Sequence, residues 1–253
     1  MHNRGTSTAT WARSDHGSPG AGESSPSGTP ARGDTDGLRD HWRPLPGWQP
    51  TRRLWAFYLT FEDQGALHQR VRRAQAELSK LSALDTVKLR SLHLTLQGVA
   101  FQDEVAQADM DRLVHVLRCR LSDVRLPPLV LSAARMDVDA VSLPVTPRTE
   151  LLELRDVIAE TASDVLGLTD LYRLPEPAQG FQPHVSIAYA NASVSAQELE
   201  PLLQSTAGCP IALNIEHVSL IALNRGARSW EWDDEIPIRL GEHLERMPAP
   251  GQA

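Results

Sequence analysis

Two short stretches of the sequence share one pattern, Leu92-His93-Leu94-Thr95-Leu96 and Pro183-His184-Val185-Ser186-Ile187. In each stretch a histidine and a hydroxyl residue lie two positions apart, with apolar residues on either side. Alternate residues of a β-strand point to the same face, so His93 shares a face with Thr95, and His184 shares one with Ser186. The apolar residues then face a core, and the polar face of each strand is left for water or a cleft.

The two motifs are far apart in the chain but lie in similar surroundings. His93 and His184 are 91 positions apart, and each begins a short apolar strand within a series of strands and helices. This arrangement predicts two lobes related by a pseudo-twofold axis. Such an axis brings the two polar strand faces together across a central cleft.

The elements around these motifs predict the fold class. Apolar residues recur every three or four positions, which predicts helices over about 67–81, 110–121 and 149–166 and a shorter one from near Ser195. Strands are predicted over 54–59, 91–99, 184–189, 215–223 and 230–240, with a hairpin within 129–145 that turns near 137–139. Because strands and helices do not alternate strictly, we expect an α+β fold with antiparallel sheets.

Composition divides the chain into three parts. Gly, Ser, Thr and Pro occupy 21 of the first 40 positions, which leaves too few apolar residues to offset the entropy of ordering such a segment. We therefore predict a disordered tail over residues 1–40, one bilobal folded domain over residues 41–242, and a loose C-terminal tail over residues 243–253. A Pro-rich entry with two tryptophans, His41 to Trp48, is expected to dock on the core.

Charge and hydropathy exclude several classes of protein. The net charge of −7 argues against a broad, non-specific nucleic-acid binder, although a local pocket can still take a nucleotide or an RNA end. Leu54–Leu59 is an apolar run of only six residues, far short of the roughly 20 that span a bilayer. Cys119 and Cys209 have neither disulfide nor zinc spacing, which favours free thiols. We expect a monomer in the cytoplasm, with no membrane contact.

The residue types in the cleft indicate a reaction. One imidazole can take a proton from water while a second, protonated imidazole gives one to a leaving oxygen. The hydroxyls of Thr95 and Ser186 are suited to donate to phosphoryl oxygens. No metal motif such as His-Glu-x-x-His is present, so the pattern predicts metal-free phosphodiester cleavage with a bell-shaped pH dependence of kcat/KM. Which histidine is the acid stays open.

The paired His-x-Thr and His-x-Ser motifs, their spacing and the order of elements over about 54–240 resemble the two-histidine phosphoesterase superfamily. Within it, the chain is most similar to bacterial RNA 2′,3′-cyclic phosphodiesterases, also known as the 2′-5′ RNA ligase family. The resemblance implies a bilobal α+β fold in which two antiparallel sheets line a central cleft, with helices outside.

The resemblance also implies an activity and its residues. It implies hydrolysis of 2′,3′-cyclic phosphates on RNA ends or nucleotides without a cofactor, and in some members reversible 2′-5′ ligation. By position, His93 and His184 would be the catalytic histidines, and Thr95 and Ser186 would hold the phosphate. The expected partner is an RNA terminus or a nucleotide substrate.

The sequence departs from this family at one place. Some members carry an arginine shortly after the second motif, where this chain has Ala188-Tyr189-Ala190-Asn191. Tyr189 is therefore expected to bind substrate, by stacking on a base or by a hydrogen bond to phosphate. Positive charge must come from elsewhere, and the candidates near the motifs in sequence are Lys88, Arg90, Arg173 and Arg228.

Three other interpretations remain open from the sequence. The chain could be a two-histidine enzyme for 2′-5′-linked oligonucleotides or an ADP-ribose cyclic phosphate, a non-catalytic nucleotide- or RNA-binding module on the same fold, or an unrelated α+β protein. His217-Val218-Ser219 repeats the motif pattern a third time, and we expect a structural strand there. Trp230 and Trp232 share a strand face and are expected to pack between elements. Tyr58 is equally suited to the cleft and the core.

Overall fold

The computed structural model describes residues 37–173, 180–226 and 228–241. Within these residues the α-helices are α1 Gly65–Leu78, α2 Gln107–Arg120, α3 Arg148–Leu166 and α4 Ala196–Ser205. The strands are β1 Gly37–Leu38, β2 Arg53–Thr60, β3 Leu84–Thr86, β4 His93–Phe101, β5 Leu129–Leu131, β6 Arg135–Met136, β7 Ala140–Thr146, β8 His184–Ala190, β9 Val194–Ser195, β10 Ile211–Leu213, β11 His217–Asn224 and β12 Glu235–Arg239.

Two antiparallel sheets dominate the fold. Lobe 1 has the four-stranded sheet in the order β12-β11-β2-β4, packed against α2 and α3. Lobe 2 has the six-stranded sheet in the order β10-β5-β7-β8-β3, with β6 also paired to β7, packed against α1 and α4. A small ribbon joins β1 to β9. The predicted α+β class with antiparallel sheets and flanking helices is confirmed.

The two lobes exchange helices. Helix α1 follows β2 of lobe 1 in the chain but packs on β8 and β3 of lobe 2. Helix α3 follows β7 of lobe 2 but packs on β4 of lobe 1. Each lobe is therefore built from both halves of the sequence, in a reciprocal arrangement of the kind that a pseudo-twofold axis produces.

Local sequence explains the main elements. Helix α1 buries Leu67, Val71, Ala74 and Leu78 on one face, as its spacing of three and four residues requires. In helix α4, the Ser195 side chain caps the first turn and Glu198 reaches back to it. Strand β2 is buried at seven of its eight positions and lies in the interior of its sheet, between β11 and β4.

The structure corrects several predicted boundaries. The tail predicted over residues 1–40 is wrong for its last four residues, because Gly37 and Leu38 pair with β9 and the Leu38 side chain is only 2% exposed. Residues 1–36 and 242–253 lie outside the described residues, so the rest of the domain division stays a prediction. The closing strand predicted over 230–240 is confined to β12, with one isolated bridge between Asn224 and Glu231. The short strands β3, β9 and β10 were not predicted.

Within the described residues, no helix combines the length and the apolar character that a membrane span requires.

Candidate functional site

A cavity of about 290 Å³ lies between the two sheets, where β4 of lobe 1 approaches β8 of lobe 2. Strand β4 contributes His93 and Thr95 to its wall, and β8 contributes His184 and Ser186. Tyr189 also lines it. All five residues that the sequence singled out therefore meet at one cavity.

A β-bulge in each motif strand extends the cavity face. Against its neighbour, β4 has one extra residue at Leu96, and β8 has one at Ile187, each three positions after the histidine. A bulge interrupts the strict alternation of side chains. Gly98 and Tyr189, the residues five positions after the histidines, both line the cavity.

Both histidines are held in the same way. The Nδ1–H of His93 donates to the carbonyl of Ser91 at 2.8 Å, and the Nδ1–H of His184 donates to the carbonyl of Gln182 at 2.8 Å. A carbonyl oxygen can only accept, so Nδ1 carries the proton in each ring. This leaves Nε2 of both histidines as the nitrogen available to a substrate.

His93 is the more enclosed of the two. Its side chain stacks on Tyr58 with ring centres 4.3 Å apart and planes within 8°, and Trp232 presents an edge at 5.8 Å. Burial lowers the pKa of His93 to about 4, with smaller contributions in the same direction from His184 and His41, and the Ser91 hydrogen bond only partly opposes this shift. His93 is therefore neutral in the unliganded cavity near pH 7.

Each motif hydroxyl interacts with a buried tyrosine. The Tyr58 phenol interacts with the Thr95 side chain, and the Tyr189 phenol interacts with that of Ser186. Burial raises the pKa of both tyrosines, so both phenols keep their proton near neutral pH. Tyr58 is fully buried and also lines the cavity, so it has both of the roles that the sequence left open.

Sequence reasoning missed His41 as a site residue. This histidine belongs to the segment before β2, lines the cavity, and stacks on Tyr189 with ring centres 4.0 Å apart. It covers one face of Tyr189, which is therefore not open to a base. Trp230 packs edge-on against His41 and also lines the cavity, so its predicted packing role is confirmed. The aromatic composition of the entry segment indicated docking but gave no sign of where it docks.

The positive charges at the cavity differ from those suggested by the sequence. In the described part of the chain, none of the four candidates Lys88, Arg90, Arg173 and Arg228 lines the cavity. Lys88 instead pairs with Glu231.

Two other arginines line the cavity. Arg43 lies 3.5 Å from Asp139, and Arg155 of α3 donates to Gln97 at 3.2 Å and lies over the Phe181 ring. Arg43 lies in the loop before β2 and Arg155 lies on α3, so both are far from the motifs in sequence. Proximity to the motifs could therefore not identify them.

The third motif-like stretch lies elsewhere. His217 begins β11 and lines a separate groove together with His115 and Arg118 of α2. The prediction of a structural strand at this position is confirmed. Cys119 and Cys209 are exposed free thiols, as predicted.

The comparisons with known proteins agree with this architecture. The structure of TT0787 from Thermus thermophilus is 18% identical, covers 76% of this chain and 100% of that chain, and has a TM-score of 0.51. E. coli LigT in complex with 3′-AMP is 18% identical, covers 74% of this chain and 98% of that chain, and has a TM-score of 0.49. At such identity the likeness to TT0787 concerns the fold alone. No curated protein sequence matches the chain.

A family model gives the assignment. The model described as the 2′-5′ RNA ligase superfamily matches residues 61–227, about two thirds of the chain, and this range contains both His-x-Thr/Ser motifs. The match covers more than half of the chain, and the chain belongs to the 2′-5′ RNA ligase superfamily.

Proposed function

We propose that the protein is a metal-independent phosphodiesterase that hydrolyses 2′,3′-cyclic phosphates of RNA ends or nucleotides. Membership of the superfamily supports a phosphodiesterase or ligase type of function. Ring opening by a ribose hydroxyl in place of water would form a 2′-5′ bond, so reversible 2′-5′ RNA ligation is compatible with the same site. The proposed reaction uses no cofactor.

One observation carries the proposal. Two imidazoles from opposite lobes line one cavity, and each is fixed through Nδ1 to the carbonyl two residues upstream. Each is followed two residues later by a hydroxyl that lines the same cavity. This matched pair supplies two Nε2 atoms for proton transfer and two hydroxyls for phosphoryl oxygens, as in-line cleavage of a phosphodiester requires.

The chemistry follows from the environments of the two histidines. Nε2 of His93, neutral because of its burial, takes a proton from water as the water oxygen attacks phosphorus. The bond from phosphorus to the 3′-oxygen breaks, and Nε2–H of His184 gives its proton to that oxygen. The product keeps the 2′-phosphate. The negative charge of a bound cyclic phosphate favours the protonated form of His93, which increases the basicity of His93 when substrate is present.

The remaining cavity residues bind the phosphate group. Thr95 and Ser186 donate their hydroxyl protons to the non-bridging oxygens, where negative charge increases in the transition state. The buried phenol of Tyr189 acts on substrate through Ser186. Arg43 and Arg155 supply positive charge within the same cavity.

The test is hydrolysis of 2′,3′-cyclic AMP and of a short RNA with a 2′,3′-cyclic phosphate end, in EDTA. We expect His93→Ala and His184→Ala each to lower kcat by about 10²-fold or more, the usual contribution of a general acid or base. His217→Ala is the matched control, since it removes the histidine of a similar motif that lies in a different groove. It should keep full activity.

Other outcomes distinguish the alternatives. Turnover that survives in both histidine variants would exclude the acid–base pair. Inactivity on cyclic phosphates with cleavage of 2′-5′-linked oligonucleotides or of an ADP-ribose cyclic phosphate would assign the site to another two-histidine specificity. Tight binding of 2′-AMP without turnover of any of these would indicate a non-catalytic nucleotide- or RNA-binding module.

A further inference from the structure

His41 lies upstream of the residues matched by the family model, yet it is part of the cavity wall. We propose that His41 is a positioning residue that holds the Tyr189 phenol against Ser186 and so orients the phosphate-binding hydroxyl of lobe 2. The inference rests on the proposed function, because Ser186 is assigned there to a phosphoryl oxygen.

The two halves of the site support their hydroxyls differently. In lobe 1, Tyr58 comes from the neighbouring strand β2 and stacks on the proposed catalytic residue His93 itself. In lobe 2, Tyr189 comes from the motif strand β8 through its bulge, and its ring stacks on His41 with planes 25° apart. Each tyrosine therefore stacks on a histidine: Tyr58 on His93 in lobe 1, and Tyr189 on His41 in lobe 2.

The His41 ring is held by a hydrogen bond at one nitrogen and lies beside a carboxylate at the other. Its Nδ1 lies 3.2 Å from the carboxylate of Asp139, and its Nε2 accepts a hydrogen bond from the Trp230 indole at 2.8 Å. Because the indole N–H can only donate, the neutral ring carries its proton on Nδ1, which is buried and makes no hydrogen bond. The Trp230 hydrogen bond and the stack on Tyr189 together fix the orientation of the ring.

The His41 backbone is fixed as well, and by both lobes. Its N–H donates to the carbonyl of Ala190, the residue next to Tyr189, at 2.8 Å. Its carbonyl accepts from the guanidinium of Arg225, just after the end of β11, at 2.6 Å. The stacking partner of Tyr189 is therefore part of a rigid frame rather than a mobile side chain.

This frame has a consequence for Ser186. A phenol that keeps its proton can donate to the Ser186 oxygen, which turns the serine's own O–H towards the cavity. That O–H then donates to a phosphoryl oxygen, most strongly as charge develops there. Without the stack, Tyr189 can tilt and the serine loses this orientation. The loss should therefore lower kcat more than it raises KM.

A double-mutant cycle tests the coupling. His41→Ala should lower kcat about tenfold in the parent, as expected for a misplaced hydroxyl, but less than about twofold in a Ser186→Ala background. His41→Phe keeps a ring for stacking and should retain more activity than His41→Ala. His115→Ala, on the exposed side of α2, is the control with parental kinetics. If His41→Ala lowered kcat by the same factor in the parent and in the Ser186→Ala background, the proposal would be overturned.

A second readout separates this inference from the proposed function. Binding of inorganic phosphate, followed by the amide NMR shift of residue 186, is measured for the same variants, the double variant included, and for Asp139→Asn, which keeps the shape of the side chain. Weaker phosphate binding in His41→Ala that disappears in the Ser186→Ala background supports the positioning role even if cyclic phosphates are not turned over. Phosphate binding by folded His41→Ala and Asp139→Asn that equals the parent would exclude it.

Discussion

At the scale of single residues, burial of His93 links the catalytic site to stability. The ring is 7% exposed and lies between Tyr58 and Trp232, so a charge on it has little access to water. The folded protein therefore holds the neutral form, with a pKa of about 4 against the ordinary value of 6.5. The unfolded chain returns the ring to water and to its ordinary pKa.

This shift predicts a pH dependence of stability. Between pH 6.5 and 4 the unfolded chain binds a proton at His93 that the folded protein does not, so the free energy of unfolding falls as the pH is lowered through this window. The complete loss is about 3 kcal/mol and is reached below pH 4. Urea denaturation at pH 7 and pH 4.5 measures it. His93→Gln should lose correspondingly less stability, and equal losses in both proteins would mean that His93 is charged in the fold.

The same residues show what the sequence can predict of the site. The alternation of a strand placed His93 with Thr95 and His184 with Ser186 on shared faces, and the cavity contains all four. His41, Arg43 and Arg155 have no such local pattern. They reach the cavity through an entry segment and a helix exchanged between lobes, and such long-range placement is not encoded in the period of a single strand.

At the scale of elements, a close backbone contact constrains strand β4 at Gly98, in addition to its bulge. The backbone of Tyr172 runs along the open edge of β4 and donates to the Val99 carbonyl at 2.8 Å. A Cβ on Gly98 would lie 2.7 Å from the Tyr172 carbonyl oxygen. Glycine is therefore required by this close approach of two backbone segments.

Gly98→Ala should lower the free energy of unfolding by about 1–3 kcal/mol, the usual cost of inserting a methyl group into a packed site. The matched control is Gly65→Ala at the start of α1, where an added Cβ meets no atom within 4 Å. That change should be neutral or stabilise by up to about 1 kcal/mol, because alanine restricts the unfolded chain. Denaturant midpoints for the two variants decide the matter, and similar midpoints would refute the steric argument.

Prediction of the elements succeeded where they are long enough to show a period. The helix predicted over 149–166 is α3 at Arg148–Leu166, and the hairpin turn near 137–139 joins β6 to β7. The two- and three-residue strands, such as β3 and β10, are too short for any alternation to be visible. They exist because a distant partner strand supplies their hydrogen bonds.

At the scale of the whole molecule, the segment over residues 37–48 connects the two lobes. On the lobe 2 side, Leu38 is buried beside β9, and Arg39 N–H donates to the Val138 carbonyl at 3.0 Å. On the lobe 1 side, Trp48 packs edge-on against Phe101 and donates its indole N–H to the Tyr172 hydroxyl at 2.8 Å. The segment therefore braces the cavity in addition to supplying His41.

Two shortened chains test where this brace begins. A chain shortened to start at Gly37 should keep the parental denaturant midpoint, since composition predicts no packed structure before it. A chain that starts at His41 loses β1 and the buried Leu38 side chain, which is worth about 1.5–3 kcal/mol. Leu38→Ala in the full chain should reproduce most of that loss. If the two shortened chains unfold at the same midpoint, residues 37–40 contribute no stability, and the brace starts at His41.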